Sequence, residues 1–118
     1  MTIRRIVPNI AGEPGPESRE FYVDVLGLEP VMDLGWIATF AAPAIPTAQI
    51  SVIAGDATAP LVADISIEVD DVDTYHAVVV RHGLEVVYGP ADEPWGVRRF
   101  FVRDPHGKIV NIVAHRKQ

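Results

Sequence analysis

Three groups in this sequence could do chemistry. The first is a polar set, Asp64, Ser66 and Glu68, alternating with Ile65, Ile67 and Val69. That period of two belongs to a half-buried strand with its polar side chains on one face. A carboxylate there could hold a cationic ligand, or act as a general base if burial raised its pKa, and Asp64 is the best catalytic candidate; an ordinary solvated sheet face gives the same pattern. The second is the run "EPWGVRRFFVRDPHGKIVNIVAH" (93–115), which brings Trp95, Arg99, Phe101 and Asn111 into one hairpin. Arg99 could bind a ligand carboxylate or phosphate, or pair with a carboxylate of the chain itself. The third is Trp36 with Phe40, in phase on one strand. They are ligand contacts if that face lines a cleft, and core if it meets a helix.

Other chemistries find little support. There is no cysteine, hence no disulfide, thiolate metal site or cysteine nucleophile. His76 and His82 are six residues apart, a poor match to the i, i+4 spacing that sets two imidazoles on one helical face. His106 sits in a turn set by Asp104, Pro105 and Gly107. Asp70, Asp71 and Asp73 read as the charge and cap of a helix start.

The elements that must position these groups follow from pattern. The 118 residues are 48% hydrophobic and 22% charged, the make-up of one ordinary folded domain. A strand "IRRIVPNI" leads through "AGEPGPE" into a helix carrying Phe21, Tyr22, Val25 and Leu26, stopped at Gly27; strands "LEPVMDL", "WIATFAA" and "AQISVIAG" follow. The second half repeats the order: "ADISIEV", a helix from "DDVD" to His82 and Gly83, then "LEVVYG", "RRFFVRD" and "KIVNIVAH". Gly27-Leu28-Glu29-Pro30-Val31 is echoed by Gly83-Leu84-Glu85-Val86-Val87 at an offset of 56. The expected fold is α+β: a single domain of two βαβββ modules, about 1–56 and 60–118, whose curved mixed sheet surrounds a cleft with the helices outside.

Ten Lys and Arg against sixteen Asp and Glu give a formal charge of −6, which repels nucleic-acid phosphates. The opening "MTIRRIVPNI" has no apolar segment of signal-peptide length, and no run is long enough to span a bilayer. The expectation is a cytoplasmic protein without nucleic-acid or membrane partners.

The paired βαβββ order, "EFYVDVLGLE" on the first helix, "IEVDDVD" entering the second and "WGVRRFFVRDPHGKIVNI" near the end resemble the vicinal oxygen chelate superfamily, which includes glyoxalase I, extradiol dioxygenases, fosfomycin-resistance enzymes and metal-free bleomycin-resistance proteins. The resemblance covers residues 3 to 115 and implies three metal-ligand positions. Fourteen residues before Phe21 stands Val7; four before Glu68 stands Asp64; four after Gly107 stands Asn111. A further ligand from the fourth strand falls where this chain has Gln49 and Ser51. One carboxylate among neutral and apolar groups does not make a divalent-metal site, so no metal or other cofactor is expected.

"EPWG" followed by "RDP-x-G" is closest in character to the bleomycin-resistance proteins. The resemblance implies a homodimer binding a small, partly aromatic molecule, an antibiotic or toxic metabolite, without a metal. Trp95 would then stack on a planar ligand, or else anchor its loop on the sheet edge. The expected ligand-binding set is Trp36, Phe40, Gln49, Asp64, Ser66, Trp95, Arg99, Phe101 and Asn111. The alternative is a glyoxalase- or dioxygenase-like enzyme using a rearranged metal set such as Asp64 with Gln49 or Asn111.

Overall fold

A computed structural model describes residues 1–116. The chain divides into two compact units, the first of residues 6–62 and the second of residues 1–5 together with those from Ala63 on. Each is a βαβββ module, so the class is α+β.

In the first unit, β1 (Ile3–Ala11) leads to α1 (Pro16–Arg19), which continues as π-helical turns over Glu20–Val25; β2 (Glu29–Asp33), β3 (Ile37–Ala41) and β4 (Gln49–Ile53) follow. The strand order is β2-β3-β4-β1, with β1 parallel to β4 and the other pairs antiparallel. Ala38, Phe40 and Val52 form the buried core on the helix side, with Tyr22, Val23, Leu28 and Ile50 packed around them.

The second unit holds β5 (Ile65–Val69), α2 (Val72–Arg81), β6 (Val86–Asp92), β7 (Val97–Arg103) and β8 (Ile109–His115), ordered β5-β8-β7-β6. Asp71 caps α2, its carboxylate accepting from the backbone N–H groups of Asp73 and Thr74. Val69, Val72, Phe100, Val102 and Ile112 make the core under α2. On β7 the residues facing the helix therefore alternate with Arg99 and Phe101, as the sequence phase predicts.

The duplication extends to backbone detail. Both helices end at a glycine of positive φ, Gly27 at 79° and Gly83 at 70°, a conformation that costs a residue with a Cβ. The Leu84 N–H reaches back to the Val79 carbonyl, whereas Leu28, after the wider π turns, reaches to Tyr22, one residue further. Each second strand of a module carries a bulge, between Pro30 and Met32 in one and between Val86 and Tyr88 in the other, again 56 residues apart. Across each sheet, on the face away from its helix, runs one matching row: Asn9, Ser51, Thr39, Met32 and, in the second unit, Ser66, Asn111, Phe101, Tyr88. Duplicated register is what places Asn111 and Phe101 side by side.

No helix among the described residues is long and apolar enough to cross a membrane.

Candidate functional site

The chemistry-bearing residues of the second unit gather on the sheet face opposite α2. Alternation forces this: Val69, Phe100, Val102 and Ile112 must point to the helix, so Ser66, Glu68, Arg99, Phe101 and Asn111 point the other way. Although this face carries the polar members of the strands, Arg99 and Asn111 are buried beside Phe101, at 2%, 6% and 0% exposure.

Arg99 is the hub. Its Nε and Nη2 both lie 2.6 Å from Glu93 Oε2, and both side chains are almost fully buried. Glu93 in turn accepts from the Tyr88 hydroxyl at 3.1 and 3.0 Å. Around the guanidinium stand three rings, Phe101 at 4.9 Å, Trp95 at 5.0 Å and Tyr88 at 5.5 Å from its central carbon. Aromatic faces attract a desolvated cation, so the cage and the carboxylate together offset the cost of taking the charge out of water. Partial burial raises the Tyr88 pKa above the ordinary phenol value, and donation to Glu93 adds to the shift.

That shift gives a pH prediction. A phenol whose folded pKa is raised keeps its proton in the folded state after the unfolded chain begins to lose it. Its stabilising contribution is therefore complete below about pH 10 and is lost as pH rises through the folded value. Ultraviolet titration should show a late tyrosine ionisation that Tyr88→Phe removes. A high-pH end of the titration that Tyr88→Phe leaves unchanged would refute it.

Asn111 lies beside Ser66 and Phe101 in the row across the sheet. Its Nδ2 donates to Ser66 Oγ at 3.0 Å. Its Oδ1 is buried and, among the described residues, has no hydrogen-bond partner. Farther along the same face Glu68 pairs with Arg5 at 2.7 Å and approaches His115 at 3.4 Å.

The other residues singled out in the sequence have local tasks. Asp64 Oδ2 accepts from the Ile109 N–H at 2.8 Å, fastening the start of β8. Gln49 Nε2 donates to the Pro46 carbonyl. Phe40 stacks on Tyr22 with ring centres 5.4 Å apart, on the helix side of the first unit's sheet; Trp36, two residues before Ala38, is half-buried. Thr39 and Ser51 share a buried hydrogen bond of 2.7 Å on the opposite face. In the terminal turn the Asp104 carboxylate accepts from the His106 and Lys108 N–H groups, and these bonds, that from Lys108 foremost, hold its pKa below the usual value.

Two members of the Arg99 cluster, Glu93 and Tyr88, are not among the candidates that the sequence offers. A signal existed for Glu93: an acidic residue six before an arginine, separated by a Trp-Gly turn, returns to its partner across a hairpin. Tyr88 offered none, because the bulge in β6 sets its register.

With this geometry in place, the relationship to known proteins is clear. The sheet topology and duplicated modules define a glyoxalase-type fold. A family model for the glyoxalase/bleomycin resistance protein/dioxygenase superfamily matches residues 10–112, and the chain belongs to that superfamily. Solved structures agree at the level of fold. A Legionella pneumophila chain described as an NAD-dependent benzaldehyde dehydrogenase is 18% identical, with 94% of this chain and 99% of that one covered and a TM-score of 0.75. Methylmalonyl-CoA epimerase from Mycobacterium tuberculosis is 19% identical over 98% of this chain and 88% of its own, TM-score 0.67. The Mn(II)-bound glyoxalase from Novosphingobium aromaticivorans is 23% identical over 98% of this chain and 41% of its own, TM-score 0.64. No curated protein matches significantly.

The residues at the metal positions implied by the resemblance do not fit a divalent ion. Val7 is an apolar side chain at 6% exposure, Asp64 is tied to Ile109, and Asn111 is a neutral amide holding Ser66. Among the described residues no group of three His, Cys, Asp or Glu is placed to hold a metal.

Proposed function

We propose that this chain is a metal-independent binding protein that sequesters a small, partly aromatic molecule, an antibiotic or toxic metabolite, on the sheet face opposite α2. It works as a cytoplasmic homodimer. The observation that carries this reading is the buried Asn111 Oδ1, left without a partner beside Ser66 and Phe101. A buried acceptor without a hydrogen bond costs about 1–3 kcal/mol, a cost recovered when a ligand donor reaches it. Half-buried Trp95, in the ring cluster with buried Phe101, gives the site an aromatic wall suited to a planar body.

Native mass spectrometry of protein purified without chelator tests the reading, because it reports oligomer, retained metal and retained ligand together. The expected species is a dimer without stoichiometric metal that takes up one aromatic compound per chain from a ligand panel. A stoichiometric divalent ion lost on Asp64→Ala would overturn it in favour of an enzyme with a rearranged metal site.

Asn111→Leu gives a second expected outcome. The apolar side chain removes the orphan acceptor while losing one hydrogen bond to Ser66, so the ligand-free protein should gain about 1 kcal/mol in urea denaturation. The same variant should lose affinity for the compound identified in the panel. Loss of stability with unchanged affinity would assign Asn111 to the fold alone.

A further inference from the structure

The two modules carry the ring of their helix-side cores at different positions: the matched rows set Ala38 against Phe100 and Phe40 against Val102. In the second unit Phe100, fully buried, fills the space beneath the start of α2 together with Val72 and Tyr75. The offset of 56 along the helices and the matched strand rows place Pro16 where the second copy has Val72, Arg19 where it has Tyr75, and Ala38 where it has Phe100. At position 38 the first unit has no ring to match Phe100, and a pocket of about 350 Å³ lined by Ala38 and Phe40 stands there. Ala38 and Phe40, at 5% and 2% exposure, lie at its base; Pro14, Pro16 and Pro30 line it above; Arg19 and Asp33 are exposed at its mouth.

The mouth is electrically uneven. Asp33 Oδ1 is already engaged by the Gly35 N–H at 2.8 Å. The Arg19 side chain makes no hydrogen bond or ion pair among the described residues, so its guanidinium has five donors to offer a planar anion. The prolines bracketing the entrance hold it with little conformational freedom to lose on binding.

We propose that this pocket of the first unit is a binding site for a small molecule with an apolar, ring-sized body and a carboxylate. The body packs on Ala38 and Phe40, and the carboxylate pairs with Arg19. The site is formed by residues 14–40 alone and stands on the helix side of its sheet, so it does not depend on the function proposed above.

The test uses 3-phenylpropionate as probe, with 3-phenylpropanol and 2-phenylethylamine as its uncharged and cationic counterparts, titrated into the full chain by two-dimensional NMR. Saturable shifts centred on Arg19, Ala38 and Phe40 are expected with the carboxylate. Ala38→Phe, which puts a ring into the pocket, should weaken binding at least about tenfold. Arg19→Gln, an exposed change that leaves the fold intact, should weaken the carboxylate about tenfold and leave the alcohol unchanged. Unsaturable or scattered shifts, equal affinity for the amine, or carboxylate binding unaffected by Arg19→Gln would each overturn the proposal.

Discussion

Replacing Glu93 by leucine should cost about 3–5 kcal/mol of folding stability, because it strands the Arg99 guanidinium in the interior without its anion. The pair is nearly sealed, with side-chain exposures of 3% and 4%, so solvent cannot take over the role of the lost carboxylate. The aromatic cage survives the substitution, yet rings carry no counter-charge, so the guanidinium is left as an uncompensated charge in the interior. Tyr88 loses its acceptor at the same time. Glu93→Leu combined with Arg99→Met removes both charges and keeps the volume apolar, and buried pairs replaced in this way are often neutral or better. The double variant should therefore recover most of the loss. Urea denaturation of the two single variants and the double variant reads the coupling directly. Single variants within about 1 kcal/mol of the parent would mean that water reaches the pair.

This cluster also locates what the sequence made legible. Alternation alone placed Phe100 and Val102 towards the helix and Arg99 and Phe101 away from it, since a strand has only two faces. The duplication was legible in five residues, and the structure carries it into the helix-ending glycines and the paired bulges. What alternation does not encode is burial on the second face. Arg99 reads as a surface or ligand-facing cation until the hairpin returns Glu93 to within 2.6 Å of it. Once paired, its charge is spent internally and is no longer free for a ligand anion. Arg19, by contrast, carries no signal in a Pro/Gly-rich loop-to-helix junction, because its significance depends on an alanine at position 38 in a strand. Pair chemistry across a turn and a pocket shared by a loop and a strand are both non-local, and periodicity is blind to them.

The backbone that carries Tyr88 to the cluster makes the second large prediction. Between Tyr88 and Ala91 the register of β6 against β7 shifts, and Gly89 sits in that irregularity with φ at 79°. A Cβ added to Gly89 would stand 2.6 Å from the Arg99 carbonyl oxygen and 3.1 Å from the Phe100 Cα, both main-chain atoms of the neighbouring strand that cannot swing aside. Gly89→Ala should thus combine the left-handed penalty of about 1–2 kcal/mol with a steric cost, for a total of about 3 kcal/mol or more. Gly96 separates the two contributions. Its φ of 96° is as unfavourable for a side chain, but nothing lies within 4 Å of its built Cβ, so Gly96→Ala should show the conformational penalty alone, about 1–2 kcal/mol. Because strain relieved at Gly89 must move β6 against Arg99, its alanine variant should also disturb the late tyrosine ionisation, whereas the Gly96 variant leaves it in place. Equal losses from the two substitutions, measured by denaturation, would show that the close approach at Gly89 does not constrain the hairpin.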